Sequence, residues 1–532
     1  MAAGVLVKII GAVYKIPLTA YIGATGRGYF STAFNIYLPI HALTMGAFPI
    51  ALTKLVSTHN AKGEVRRTAA LGRASKKLFL TVGLIGTAVM LLAAKPYSRL
   101  ISGSPESVYT ILTLAPSVFF SCMCGCHRAF AEGYLDMKPS AAAQIIEALF
   151  KLIFGLLFAR LAMSELYNAY LITGRVLFTT AAGDGEALAS IYPLTSAAAM
   201  LGSTLGSIVS WVFAAVYNRI NYCFPACGKS ESREALSELS GFAFPLVFAT
   251  AVQSFSTFTD NASLQYCLSK CDAARLAEIY NVSADGVHTY VYGVYSSALD
   301  FRNLVPSIVM TLGITAVPAV SLAYEGGDGR FESIVNSVFR YTVMLSCIGG
   351  VFLCLFGDTM LGLFYGRSNP DIVQNAQSTV FILGATLLPC CVASTSVFCA
   401  QSLGFSKQTV IPFALSAAVR AAINLILVRI PSVNVQGAAV SNFIGFSIIF
   451  IINMLTISNR TKVRFSTCSV FVKPIICSCL VFFAVYELKQ NVFKSATIMN
   501  GFLPNFVAFL LLFVTLMLLL NIISLNDLKN LN

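Results

Sequence analysis

Charge is scarce in this chain: Asp, Glu, Lys and Arg make up 11% of its 532 residues, less than half of the roughly 25% usual in soluble domains. With 57% hydrophobic residues beside that shortage, a soluble enzyme, a nucleic-acid-binding protein and a disordered scaffold are excluded. There is no G-x4-G-K-[ST] phosphate loop, so the chain does not itself hydrolyse ATP. His41, His59, His127 and His288 are scattered and build no catalytic centre, and the chain does not read as an enzyme. The 15 cysteines show no disulfide spacing. Cys122, Cys124, Cys126 and His127 form a C-x-C-x-C-H string inside an apolar run, whereas structural zinc favours C-x2-C pairs on turns. Neither a metal nor a cofactor is expected. The first 25 residues lack a basic leader and a small-residue cleavage site, and Lys8 and Lys15 interrupt their apolar run. They read as a first transmembrane helix, not a signal peptide.

Long apolar runs are what the chain has instead. A bilayer core of about 30 Å needs roughly 20 such residues per helix. Uncharged stretches of this kind cover 78–94, 109–126, 187–218, 239–259, 341–357, 430–459 and 496–526. Further runs cover 2–22, 32–56, 139–159, 303–324, 374–404 and 408–428, four of them with one or two embedded charges, and a shorter run covers 474–486. The expectation is an all-α polytopic membrane protein with fourteen transmembrane helices. Its net charge of +13 is then mostly a topology signal, with Lys and Arg holding loops on the cytoplasmic side. The segments 54–77 and 460–473 are lopsidedly basic, which predicts that both termini lie on the cytoplasmic side of a bacterial plasma membrane. The segment 63–78 (GEVRRTAALGRASKKL) reads either as a topology anchor or as a basic amphipathic helix on the anionic inner leaflet.

The chain also repeats itself. AFPIALTKLVSTH resembles AVPAVSLAYEGG, and FAEGYLDMKPSAAAQIIEALFKLIFGLLFA resembles FCAQSLGFSKQTVIPFALSAAVRAAINLILV. Pro49 with Pro318, Lys138 with Lys407 and Lys151 with Arg420 all lie 269 positions apart. Six spans per copy means that both copies enter the membrane in the same direction, as parallel repeats. The expected organisation is an N-terminal six-helix lobe over 1–228, a second six-helix lobe over 229–465, and two further helices over 466–532. An outer insertion at about 260–289 carries Leu264, Cys267, Leu268 and Cys271 at helical spacing, which suggests a short amphipathic helix.

Ionisable residues in a bilayer are costly and mark bundle interiors or water-filled cavities. Lys8 and Lys15 are two turns apart on one face of the first span, which has no acid. Pro17 should kink or end that helix near Lys15. Lys54 closes the second span, and Asp300 with Arg302 opens the eighth. These cations either line a central cleft or snorkel to the interface. Glu147 and Lys151 stand one turn apart in the order that lets them pair. Arg420, the repeat mate of Lys151, has no acid one turn away. These last three act in helix packing or line the cleft.

GAVYKIPLTAYIGATGRGYF, NIYLPIHALTMGAFPIALTKLVS and HRAFAEGYLDMKPSAAAQIIEALFKLI resemble the stage V sporulation protein B family. That family is a polysaccharide-biosynthesis branch of the multidrug/oligosaccharidyl-lipid/polysaccharide exporter superfamily, related to the MurJ lipid II flippases. The resemblance covers the first twelve spans. It implies two pseudo-symmetric six-helix lobes around a V-shaped cleft, in the MATE and MurJ manner, with basic residues of helices one, two and eight lining it. The last two helices would offer a groove for a lipid tail. Lys15 stands where the family usually has arginine, and Ala20 where a second basic residue is common; this cleft is correspondingly less basic.

The function this implies is transfer of an undecaprenyl-diphosphate-linked saccharide to the outer leaflet, in peptidoglycan or other polysaccharide synthesis, with a sporulation role resting on the resemblance alone. Lys8, Lys15, Lys54 and Arg302 would meet the diphosphate. The expected partners are the lipid-linked oligosaccharide, membrane lipids and cell-wall synthesis enzymes. The alternative is a cation-coupled multidrug exporter, which needs carboxylates within the membrane; Asp260 and Asp300 are its candidates.

Overall fold

A computed structural model describes residues 2–176, 179–180, 183–222, 228–326, 331–405, 407–491 and 498–520. Apart from a two-stranded antiparallel ribbon, Arg175–Val176 with Thr179–Thr180, the regular structure of the described residues is helical, as the polar backbone of an apolar chain in lipid requires. The chain divides into two compact units, Met1–Ser296 with Arg429–Ser432, and Ser297–Val428 with Val433–Asn532. Among the described residues ten helices are long and apolar enough to cross a bilayer. There are eleven if Pro370–Ala385 and Leu387–Ser402, bent by 46°, form one broken span.

In the first unit, α1 (Ala2–Ala42) passes through a π-helical turn, Leu43–Ala47, into α2 (Phe48–Ala61). The apolar stretch within it, Leu6–Ala61, is 56 residues long, far more than one crossing needs. It holds the first two spans read from the sequence. The backbone breaks between them at Gly23, with φ 64° and ψ −176°, a conformation open to glycine alone. The break was expected at Pro17, but helix continues through that proline. Lipid-embedded helices tolerate proline where neighbouring groups make up for the one lost hydrogen bond.

Next come α3 (Val65–Pro96), α4 (Ser107–Gly133), α5 (Lys138–Thr173) and α6 (Asp184–Asn221). The basic segment 63–78 is not a separate surface helix, because from Val65 onward it is the first turns of α3. Ala69, Ala70, Leu71 and Ala74 are buried there against the α2 and α4 residues Leu52, Val56 and Phe130. The unit continues with α7 (Lys229–Ser269), α8 (Ala273–Tyr280) and the start of α9 (Val287–Glu325). Leu264, Cys267 and Leu268, expected on an isolated outer helix, lie instead on the last turns of α7 and are buried. The separate helix is α8, whose first turn is capped by Asp272, accepting from the backbone N–H groups of Ala274 and Arg275. The division falls inside α9, so α7 and α8 belong to the same unit as α1–α6, whereas the repeat expected from the sequence would count them with a second copy.

Helices in lipid gain little from hydrophobic sorting, and close approach of small residues takes its place. Gly202 and Gly206 form a G-x3-G stripe on α6. A Cβ on Gly202 would strike the backbone of Gly155 on α5, and one on Gly206 would meet the Glu147 carbonyl. The same device joins α1 to α9, where a Cβ at Gly293 would run into the Ala24 carbonyl and one at Gly28 into that of Thr289. Outside the membrane, the α4–α5 connection is held by Asp136. It accepts from the Tyr217 hydroxyl at 2.8 Å, the Tyr222 hydroxyl at 3.0 Å and the Lys138 backbone N–H at 3.1 Å.

The second unit holds the rest of α9, then α10 (Phe331–Tyr365), α11 (Pro370–Ala385), α12 (Leu387–Ser402), α13 (Val410–Leu427), α14 (Asn434–Thr461), α15 (Lys473–Asn491) and α16 (Ile498–Leu519). Its core runs from Val335, Phe339 and Phe356 of α10 to Val481 of α15 and Phe509 of α16. The final two helices are thus anchored on α10. Lys489 of α15 pairs with Asp358 of α10 at 2.8 Å, and Lys473 donates to the Leu520 carbonyl at 3.0 Å.

Two outcomes follow. Gly202→Leu and Gly206→Leu should each cost at least the roughly 1–3 kcal/mol of an overpacked core, since backbone has to move; the check is the melting temperature of purified protein, with lipid-facing Leu201→Ala as the neutral control. Although burial alone would raise the Asp136 carboxyl, hydrogen bonds from Tyr217, Lys138 and Tyr222 hold it below its ordinary 3.8. Its contribution is therefore present above about pH 4 and is lost as pH falls through the depressed value. Asp136→Asn should lower stability near neutral pH by on the order of 1 kcal/mol and shrink its difference from wild type in acid, measured by thermal melts across pH.

Candidate functional site

Each unit carries cations set against aromatic rings. In the first, Lys8 is exposed and Lys15 half-buried on the first part of α1. Past the Gly23 break, Arg27 is 3% exposed, with its guanidinium carbon 5.0 Å from the Phe30 ring centre. Arg27 escaped the sequence reading because GATGRG looks like a glycine-rich turn between two spans. The following Tyr29-Phe30 pair was the available signal that helix resumes there. Around this segment α1 is tied to its neighbours by polar side chains. Asn35 donates to the Tyr292 hydroxyl, Gln265 donates to Thr32 Oγ1 at 2.7 Å, and Tyr97 donates to Gln265 Oε1 at 2.8 Å.

Glu147 and Lys151, read from their spacing as a pair, each also have partners on other helices. Glu147 accepts from the Ser207 hydroxyl at 3.1 Å. The Lys151 ammonium lies 4.6 Å from the Phe34 ring centre and 5.4 Å from that of Tyr14, within cation–π range. Close α5–α6 packing at Gly206 brings Ser207 up to the acid. Asp260, on α7, is buried in the same unit.

Lys54 does not join this group. It is exposed near the end of α2, with its ammonium 4.7 Å from the Phe242 ring of α7. A charged cluster continues from there. His59 Nδ1 is 2.6 Å from Glu64 and Nε2 is 3.0 Å from Glu238, an arrangement that satisfies both sides only with a proton on each ring nitrogen. Arg67 reaches Glu234 and Glu238 at 3.3 Å each. A cavity of about 740 Å³ opens beside them, lined by His59, Gly63, Glu64, Arg66, Arg67 and Glu231. The α2–α3 turn is thereby fastened to the start of α7, a link with no signature in sequence spacing.

In the second unit, Arg302 of α9 and Arg420 of α13 share one ring. Their guanidinium carbons lie 5.1 and 5.4 Å from the centre of Phe446 on α14. They are 7% and 4% exposed. Gly445 makes room for the Arg420 stem, whose path a Cβ there would occupy. Ser416, one turn before Arg420, donates to the Gly445 carbonyl at 2.9 Å. Asp300 is half-buried on α9.

The thiols of the C-x-C-x-C-H string point along three bearings. Cys122 donates to the Phe79 carbonyl at 3.3 Å, Cys126 to Ser75 at 3.4 Å, and Cys124 lies 3.2 Å from the Ser210 hydroxyl. They tie α4 to α3 and α6.

A family model described as polysaccharide biosynthesis protein matches residues 1–324. Lipid II flippase MurJ of Bacillus subtilis (strain 168) is 21% identical over 464 residues, covering 82% of this chain and 77% of that protein. Stage V sporulation protein B of the same organism is 21% identical over 469 residues, covering 86% and 82%. Among solved structures, lipid II flippase MurJ in an inward closed conformation matches with TM-score 0.70 at 15% identity, over 97% of each chain. The fold is thus shared with a lipid flippase.

Removing the His59 link should free the start of α7. Loss of a hydrogen bond between charged groups costs about 1.5–3 kcal/mol, so His59→Ala and Glu238→Gln should speed hydrogen exchange in residues 230–240 roughly tenfold or more, while exchange in α16 stays unchanged.

Proposed function

We propose, on the premise that this chain belongs to the polysaccharide biosynthesis protein family, that it carries an undecaprenyl-diphosphate-linked saccharide from the inner to the outer leaflet by alternating access. The proposed frame is fourteen crossings, two parallel six-helix repeats plus two C-terminal helices, with both termini cytoplasmic in a bacterial plasma membrane. The observation carrying the reading is the set of cations laid against aromatic rings inside membrane helices: buried Arg27 and half-buried Lys151 in one unit, buried Arg302 and Arg420 in the other.

A diphosphate cannot enter hydrocarbon without something replacing its water, because an uncompensated buried anion is prohibitive. Guanidinium and ammonium groups supply that replacement, with arginine suited to phosphate oxygens through its planar fork of donors. The polyprenyl tail can stay in lipid throughout. Lys15 and Lys8, on the first part of α1, are proposed to meet the diphosphate on entry, ahead of Arg27. Lys54, held at Phe242, acts at most at the entrance. Outward transfer of two negative charges down an inside-negative potential releases about 4–5 kcal/mol per 100 mV, so no ATP site is needed. The relatives' names support this class of cargo: one is a lipid II flippase. Cell-wall synthesis enzymes are proposed partners that would use the delivered precursor.

A second reading, the cation-coupled exporter, is favoured by one observation, the buried Asp260. The two separate by substrate.

In cells depleted of the protein, labelling of lipid-linked precursor at the outer face should fall and be restored by wild type. Arg27→Gln and Lys15→Ala should restore it at least tenfold less well, as expected for loss of a charge-assisted contact worth about 1.5–3 kcal/mol, at equal protein level. Asp260→Asn should have the smaller effect. Normal labelling without the protein, with a loss of drug resistance that follows Asp260, would replace the flippase by the exporter.

A further inference from the structure

We propose that His59 is a proton-binding site, and that its proton fastens the α2–α3 turn to the start of α7. The ring stands between two carboxylates from different elements. Nδ1 lies 2.6 Å from Glu64 at the start of α3, and Nε2 lies 3.0 Å from Glu238 of α7. A neutral imidazole has one N–H and one lone pair. Without its second proton it donates to one of these acids only, and the other faces a lone pair across hydrogen-bonding distance. That carboxylate must then turn away, or α7 must move. Closing the contact therefore takes up a proton. By linkage the reverse holds as well, so that acid tightens the contact and base releases it.

The surrounding charges strengthen this dependence. Arg67 of α3 reaches Glu234 and Glu238 of α7 at 3.3 Å each. While His59 is charged, it and Arg67 together face Glu64, Glu234 and Glu238; once the proton leaves, Arg67 faces the three carboxylates alone. Arg66 and Glu231, one of each sign, line the cavity beside the ring. Glu231 is engaged there in capping α7, accepting from the Gly228 backbone N–H at 2.9 Å. On the ring's own helix Lys54 is turned to Phe242, and Lys62 and Arg233 stand exposed. Helix α4 packs on α2 at Thr53 and Val56. Its charged groups nearby are Arg128, which donates to Ser140, and the half-buried Glu132; neither pairs with the ring among the described residues. The His59 side chain is 10% exposed, so its bonds are sheltered, while the cavity of about 740 Å³ gives water a way to the ring. The hold on α7 then answers to the pH of the compartment that this end faces. His59, Glu64 and Glu238 are not among the residues proposed to meet the diphosphate, and the site stands whatever the cargo.

The test uses the purified full-length protein. Hydrogen exchange is followed from about pH 5, where histidine is ordinarily charged, to about pH 9, where it is ordinarily neutral, with each rate divided by the intrinsic rate at that pH. In wild type the protection of residues 230–240 should fall at least tenfold across this range, while α16 keeps its protection. His59→Gln, which cannot gain a charge, should be weakly protected throughout. His59→Arg, charged at every pH, should lose the pH dependence and stay better protected than His59→Gln at the alkaline end. Glu238→Gln should release α7 at lower pH than wild type. Nitrogen-15 spectra of histidine-labelled wild type give a second reading that does not depend on a variant folding. With 4 histidines in the chain, a ring carrying a proton on both nitrogens at neutral pH should stand apart from neutral ones. Protection of 230–240 that stays flat in wild type, an equal fall in His59→Gln, or the lack of any doubly protonated ring at neutral pH would overturn the proposal. These readings involve no lipid-linked sugar, so their failure leaves the flippase reading untouched, and failure of precursor delivery leaves this site untouched.

Discussion

A charge inside a bilayer must be given something in place of water, and the placement of charge in this protein follows from that constraint. The ion pairs of His59 with Glu64 and Glu238, of Arg67 with Glu234, and of Lys489 with Asp358 sit near helix ends and turns, where both partners keep some contact with solvent. Deeper in the helices a different solution recurs. Lys151 rests on Phe34 and Tyr14, Arg27 on Phe30, and Arg302 and Arg420 on Phe446. Aromatic faces stabilise a cation by roughly 0.5–2 kcal/mol.

Small residues make that arrangement possible. Gly206 allows α6 close enough for Ser207 to reach Glu147, and Gly445 opens the path along which Arg420 arrives at Phe446. Gly23 redirects α1 so that Lys15 and Arg27 lie on helical segments either side of one break. In lipid, where apolar sorting contributes little, these contacts position the charges and hold the helices together at once.

The apolar runs made the helical membrane class legible, because nothing soluble has so few charges over so long a chain. The charges of Lys151 and Arg420 inside apolar runs were equally visible. What stayed hidden depended on backbone detail or on long-range partners. Proline is a visible helix breaker, so the kink was expected at Pro17, whereas the turn is at Gly23, where only φ reveals it. Glycines around Arg27 imitated a loop. Acid before base at one-turn spacing suggested a Glu147–Lys151 pair, but spacing says nothing of Ser207 or Phe34 arriving from other helices. Lys54 lay in a basic segment typical of a topology anchor, and its contact with Phe242 lies far along the chain. The packing of α7 with the helices that precede it is likewise a long-range matter that apolar runs do not show.

The central claim is that positive side chains shelter a diphosphate while it crosses. The most direct measurement is the crossing rate of a fluorescent undecaprenyl-diphosphate sugar in vesicles holding the purified protein, under an imposed membrane potential of either sign. The rate from the negative side to the positive side should rise as the potential grows and exceed that of protein-free vesicles at every value. A rate indifferent to the potential and equal to that of empty vesicles would contradict the account.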